Sequence, residues 1–210
     1  MKIGTKVIIA LALWANLWFV SSCNNGPKRE VWLDEVYKDS CFVQDWGIPQ
    51  INQSVVWTPL TVSGVVYEQG IGAHSISRML YDLGGKAVSV SGLVGADDNN
   101  LYAGKLQFKI IGDKKELWKS GVMQKGDSVK EFNVNLSGID KVLLLVEECG
   151  DGIMYDHADW LNVKFVTRGE ITPIPAWPKP VAKEKYILTP EAPETPRINL
   201  SLIHISEPTR

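Results

Sequence analysis

The sequence holds no block of basic residues. Its 22 Lys and Arg are offset by 24 Asp and Glu over 210 residues, a formal net charge of -2. Phosphate-backbone binding depends on clustered cations, so nucleic acid is not an expected partner. Catalytic spacing motifs are missing as well: there is no nucleophile elbow, no HExxH and no CxxC pair. Ser75 adjoins His74 and Asp156 adjoins His157, but neighbours along a strand point to opposite faces, so neither pair builds a nucleophile-base relay. Acidic side chains are plentiful, yet without a defined separation they do not single out a glycosidase pair. Sustained helical periodicity is absent from the body of the chain. The longest apolar run, from Val7 to Val20, is too short to span a bilayer comfortably.

Cysteine is scarce too, with three in the chain. The first 23 residues place Lys2 and Lys6 before the apolar run and end in Val20-Ser21-Ser22-Cys23, the pattern of an export signal. This ending resembles the lipobox of bacterial lipoproteins, in which cleavage precedes the cysteine and its thiol is acylated. Cys23 is therefore the expected lipid attachment and membrane anchor of an exported lipoprotein, in the periplasm or at the cell surface. An oxidising compartment permits a Cys41–Cys149 disulfide. Burial of Cys149, which follows the apolar run VLLLV, as a free thiol is the alternative.

What the chain does hold is a succession of short β-rich segments between turn residues, from Val31 to about Val166. Expected strands are VWLDEV (31–36), SVVW (54–57), IGAHSISRMLYDL (71–83), KAVSVSGLVG (86–95), KLQFKIIG (105–112), KELWKS (115–120), VKEFNVNL (129–136), KVLLLVEE (141–148) and WLNVKFV (160–166). Phe132, Val134 and Leu136 alternate with polar residues as on a half-exposed strand, whereas VLLLV is apolar throughout, as on a central one. GG at 84–85 and GDK at 112–114 are expected hairpin turns. The pattern predicts an all-β domain, an antiparallel β-sandwich of jelly-roll type. Boundaries follow from composition: a signal at 1–23, a short tether at 24–30, the sandwich at 31–167 and a proline-rich linker at 168–199. Residues 200–210, LSLIHISEPTR, match the translation of a common sequencing-library adapter and are set aside as non-native.

Two polar loops stand out, GADDNN (95–100) and GDGIMYDHADW (150–160). Clustered carboxylates suit a structural calcium ion, but neither loop is an EF-hand, and the same residues commonly serve turns. Zinc has no spacing signature. Sugar binding needs an aromatic platform for the apolar face of a pyranose and polar partners for its hydroxyls. Trp46, Trp57 and Trp160 lie at or beside loops, although Trp160 and Trp118 sit in strand-like segments where core packing is the competing reading. His74 lies inside an expected strand, where a buried, hydrogen-bonded imidazole competes with a ligand contact.

Several segments in order, YEQGIGAHSISRMLYDLGG, VSGLVGADD, KLQFKIIGDKKELWKSGVM and VNLSGIDKVLLLVEECGDGIMYDHADWLNVKF, resemble the NPCBM domain, which is related to family 51 carbohydrate-binding modules. The resemblance covers about residues 31–167. It implies a galactose-binding-domain-like sandwich that binds galactose-containing glycans without catalysis. On that basis His74, Asp97, Asp98, Asp156 and His157 are hydrogen-bonding candidates, and Trp46 and Trp160 stacking candidates. The leader, VWLDEV, the module and the spacer YILTPEAPETPRIN together resemble the start of bacterial α-galactosidases of glycoside hydrolase family 27. Their catalytic barrel follows such a spacer and is not in this sequence, so this chain is expected to be non-catalytic. A spacer domain that packs against a barrel without binding glycan is the alternative.

Overall fold

The computed structural model describes residues 26–175; the leader with Cys23 and the tail from residue 176 onward, including the adapter-like segment, lie outside the described residues. In chain order the elements are β1 (Arg29–Trp32), a one-turn helix α1 (Leu33–Val36), a 3-10 turn at Asp39–Cys41, β2 (Phe42–Gln44), β3 (Gln50–Ile51), β4 (Leu60–Val62), β5 (Val65–Tyr67), β6 (Gly70–His74), β7 (Ser77–Asp82), β8 (Ala87–Ala96), β9 (Leu106–Gly112), β10 (Lys115–Met123), β11 (Lys130–Asn135), β12 (Lys141–Glu148), β13 (His157–Thr167) and β14 (Thr172–Pro173). Apart from β4 and β5, which pair as a separate two-stranded sheet, the strands form two facing antiparallel sheets. The first is ordered β11-β8-β13-β6-β3 with β1 also paired to β13, and the second β10-β9-β12-β7-β14 with β2 also paired to β7. The chain steps repeatedly between layers, as at β6–β7, β7–β8, β8–β9, β10–β11, β11–β12 and β12–β13, giving the expected β-sandwich of jelly-roll type.

Alternation along the strands fills the space between the layers. Ile71 and Ala73 of β6, Val90 and Val94 of β8, and Ala158 and Trp160 of β13 meet Met79, Tyr81, Phe108, Ile110, Val142, Leu144 and Val146 from the other sheet. Trp160 is fully buried at the centre, edge-on to Phe108 at 5.0 Å and to Phe132 at 6.0 Å. Both T-shaped contacts suit the aromatic quadrupole, and the one to Phe108 of β9 ties the two layers together. VLLLV forms the middle of the second sheet; Leu145, on its outward face, is also buried, and Leu143 is half-buried.

Several segments depart from expectation for identifiable reasons. VWLDEV is β1 followed by α1: the turn at Leu33 drives that side chain into the core, while Asp34 accepts hydrogen bonds from Gln69 Nε2 at 3.1 and 3.2 Å. SVVW is a turn, because the Ser54 hydroxyl accepts from the Val56 and Thr58 N–H groups and overrides β-branched propensity. IGAHSISRMLYDL is two strands in different sheets, with Ser75-Ile76 at the corner. Gly84-Gly85 likewise joins the two sheets and not a hairpin, whereas Asp113-Lys114 does turn the β9–β10 hairpin. β14 brings the start of the proline-rich segment into the domain, with Ile171 buried and Pro173 on an edge where its missing N–H is tolerated. Cys41 and Cys149 are free thiols, the first buried and the second half-buried, so no disulfide joins them.

The outer face of the first sheet is covered by the segment from β3 to β5. Gly72 makes this close approach possible. A Cβ there would stand 2.5 Å from Ser54 Cα and 2.6 Å from Ser54 C, and closer still to the Gln53 carbonyl oxygen. Those are backbone atoms that cannot swing aside. Gly72→Ala is therefore expected to cost about 2 kcal/mol or more, a fall in Tm of about 4–8 °C in a thermal melt.

Candidate functional site

Period-two alternation that sends Ala158 and Trp160 inward turns His157 and Asp159 outward. The β13–β6 register sets His157 opposite His74 and Asp159 opposite Gly72. The two imidazoles thus share one end of the outer face, with ring centres 5.6 Å apart. Trp46 reaches them from the turn after β2, a turn held close because the Gln44 side-chain carbonyl accepts the His74 N–H at 3.1 Å. Its indole stacks on His157 at 5.6 Å with 9° between planes and lies 5.0 Å from His74 at a tilt.

This three-ring cluster lines a cleft of about 550 Å³. Asn99 and Val56 flank it on the side of the covering segment, and Leu101, Ile153, Met154 and Tyr155 complete the wall. Asn99 is fixed by its Nδ2 donating to Thr58 Oγ1 at 2.6 Å and its N–H donating to Asp97 Oδ1 at 2.7 Å. Trp46 is 38% exposed, enough to offer a ring face, while both histidines are buried at their rims.

Burial is the largest influence on both imidazoles and holds them neutral. It lowers His74 to about 4, helped by the neighbouring His157, against the opposing pull of the Ser75 carbonyl and Asp45. His74 Nδ1 lies 2.5 Å from that carbonyl, which can only accept, so Nδ1 carries the proton and Nε2 is left as an acceptor. His157 is lowered by burial, partly offset by Asp97, and its Nδ1 is buried without a hydrogen-bond partner.

The acidic candidates are not in the cleft wall. Asp97 is fully buried and accepts from the N–H groups of Asn99 and Thr61; Asp98 accepts from Ser63 at 3.0 Å and Gly64 at 2.7 Å, clamping the β4–β5 hairpin. Carboxylate oxygens engaged in this way do not fit a calcium loop, and among the described residues no group of three or more His, Cys, Asp or Glu is arranged to hold a metal ion. Asp156 accepts the Ser75 hydroxyl at the corner between β6 and β7. Ser75 is thus bonded to an aspartate directly, with no histidine between them to act as base. Burial raises Asp156 to about 6 despite that hydrogen bond, with Asp151 and Glu148 adding to the rise. Asp159, which the sequence reading passed over, is fully buried; burial, then its neighbour Asp97, push it well above the usual carboxylate range. Trp160 is removed as a stacking surface because it is sealed in the core.

The structure therefore brings Trp46, His74 and His157 together and leaves Asp97, Asp98, Asp156 and Trp160 as supports. The cleft residues not anticipated are Val56 and Leu101, together with Asn99, Ile153, Met154 and Tyr155, whose loops were singled out but not their side chains. Their signal was apolar residues set inside Gly-, Asp- and Asn-rich loops: Leu101 and Met154 are 75% and 71% exposed.

The domain is a β-sandwich with a ring-lined cleft whose wall carries no carboxylate. Its class is that of the carbohydrate-binding modules. Residues 29–166 match the NPCBM/NEW2 domain, and the chain belongs to that family. Among solved structures it is similar to a family 51 carbohydrate-binding module (CBM51) from Clostridium perfringens GH95, in complex with methyl-galactose, at 26% identity and a TM-score of 0.60 over 65% of this chain and 99% of that one. It is also similar to the M60 catalytic domain with two CBM51 domains from Clostridium perfringens ZmpB, at 27% identity and a TM-score of 0.61 over 67% of this chain and 15% of that one. An alpha-1,3-galactosidase B of Akkermansia muciniphila is 30% identical over 130 residues, and a Renibacterium salmoninarum protein bearing the name of an endo-alpha-N-acetylgalactosaminidase 32% identical over 120. These stretches take up 60% and 57% of this chain, but 16% and 8% of those proteins.

The imidazoles give the domain a distinctive acid response. Unfolded, His74 titrates near 6.5, and folded, at about 4, so between these values the unfolded state binds a proton that the native state does not. The stability tied to neutral His74 is complete above pH 6.5 and declines as pH falls toward 4. Asp156 acts with the opposite sign: its native value of about 6 exceeds the ordinary 3.8, so the native state gains stability as pH falls through that window. His74→Gln removes the first contribution and leaves the second. Between pH 7 and 4.5 the parent is expected to lose about 4 °C or more of Tm beyond the loss in His74→Gln.

Proposed function

We propose that the cleft binds the terminal sugar of a galactose-type glycan. Trp46 supplies the stacking face, and His74, His157 and Asn99 the hydrogen-bonding groups. The observation that carries this reading is the convergence of Trp46, His74 and His157 on one open cleft, with Asn99 of the GADDNN loop lining the same space. A neutral imidazole with its proton committed to the Ser75 carbonyl is set to accept a sugar hydroxyl at Nε2. Support also comes from the methyl-galactose complex of the C. perfringens module. Titration calorimetry of the purified chain with methyl galactoside, and methyl glucoside as control, tests the reading. Weak, galactoside-selective binding is expected, and Trp46→Ala should weaken it about tenfold. Heat-silent titrations with every glycan would overturn it.

We further infer that this domain is a tethered accessory of a larger glycoside hydrolase acting on α-galactosides. Cys23 would anchor it in the membrane, facing periplasm or cell surface, and tethering would raise the local concentration of the enzyme at its polysaccharide without adding chemistry. The β1–β13 pairing supports this arrangement. Arg29 is registered with Thr167, so the chain enters the domain at the end of β13 remote from His157, roughly 30 Å away at strand rise. In cells fed labelled fatty acid, the protein is expected to carry label and Cys23→Ala to lose it.

A further inference from the structure

The cleft leaves one conspicuous side chain without a role. Trp57 is 60% exposed and its backbone is left-handed, with φ of 62°. A bulky side chain in that region is a steric outlier, and an exposed indole gains little from burial, so folding alone gives no reason for tryptophan here. The turn that carries it is nevertheless held firmly. Trp57 N–H donates to the Ser54 carbonyl at 2.9 Å, and Ser54 N–H to the Thr58 carbonyl at 2.8 Å. The Ser54 hydroxyl, itself fully buried, accepts from Val56 and Thr58 N–H and lies 2.7 Å from Thr58 Oγ1. Thr58 Oγ1 in turn receives the Asn99 Nδ2 bond. A strained indole is thus presented from a turn whose preceding residue, Val56, and whose cross-brace, Asn99, both line the cleft.

The cleft itself asks for a second contact. At about 550 Å³ it lies within the range of about 300–1,000 Å³ that accommodates drug-sized ligands, more than one pyranose fills. Beside Asn99, His74 and His157, the wall is apolar or aromatic, with polar atoms added only by the Tyr155 hydroxyl and the Trp46 indole N–H. Affinity must therefore come from ring faces.

We propose that Trp57 is a second stacking platform, which carries the penultimate ring of a glycan whose terminal ring lies against Trp46. The domain then recognises a disaccharide unit, and a monosaccharide fills it only in part. This rests on the reading of the cleft as a glycan site, and the test separates the two. Calorimetry compares methyl galactoside with galactosyl-α-1,3-galactose and galactosyl-β-1,4-glucose, using the full chain and Trp57→Ala, Trp57→Gly and Trp57→Phe. The parent is expected to bind at least one disaccharide about fivefold or more tighter than methyl galactoside. Trp57→Ala and Trp57→Gly should remove that advantage while leaving methyl galactoside affinity within about twofold, and Trp57→Phe should keep most of it. Glycine accepts the positive φ, so Trp57→Gly should melt within a few degrees of the parent, which keeps a loss of binding from being a loss of fold. A parent with no preference for either disaccharide, or Trp57 variants that match it on both or lose both sugars alike, overturns the proposal while the cleft reading stands. Failure of the parent to bind any of the three sugars overturns both.

Discussion

The functional end of this domain depends on how closely a loop can lie on a sheet. His74, Gly72 and Gly70 alternate outward along β6, and His157 and Asp159 stand beside them on β13. With a side chain at position 72, the segment through Gln53 and Ser54 would be held off the sheet. Because glycine stands there, that segment descends into contact over β6, opposite the buried Asp159, and carries Val56 to the wall of the cleft. The same coverage removes water from His74 and His157, and with it the stability of their charged forms. One steric permission thus sets the shape of the cleft and the neutrality of its imidazoles.

Polar residues around the cleft divide into those that face it and those that make it rigid. Asp97, Asp98 and Asp156 each bond to groups of the surrounding turns, and Asn100 brackets His157 through its backbone, Nδ2 to the carbonyl at 3.1 Å and Oδ1 from the N–H at 2.9 Å. Carboxylates are strong acceptors of backbone N–H groups, so acids concentrated near a binding site need not touch the ligand. Here they keep the loops in place while neutral rings form the surface. A cleft of this kind favours ligands that are themselves neutral and amphipathic, as sugars are.

Much of the sandwich was legible because alternation and turn residues are local signals. β8, β9, β11 and β12 came within two residues of their expected bounds, since each has one apolar face or none exposed. The errors lie where tertiary demands override local preference. Ser54 converts β-branched Val55 and Val56 into a turn, Leu33 bends VWLDEV into the core, and the corner at Ser75-Ile76 redirects an uninterrupted β-rich run to the opposite sheet. Within the site, His74 and His157 could be named from sequence, but their pairing depends on a register between strands separated by more than eighty residues. Trp160 and Trp46 are chemically equivalent in a sequence; only the inward parity of one and the loop position of the other tell them apart. Leu101 and Met154 were invisible for the complementary reason, since an apolar residue in a polar loop gives no sign of which cavity it borders.

The distance between the cleft and the point where β1 enters the domain also has a mechanical side. β13 runs from the imidazoles at His157 to Thr167, where β1 enters beside it in antiparallel register. A load applied between a ligand at one end and the flanking chain at the other is directed along the strands. The ladder hydrogen bonds lie across that direction, so they resist together in shear and do not open one after another. The sandwich is in this sense a link oriented for tension, stiffest along the line that joins what it holds to what holds it.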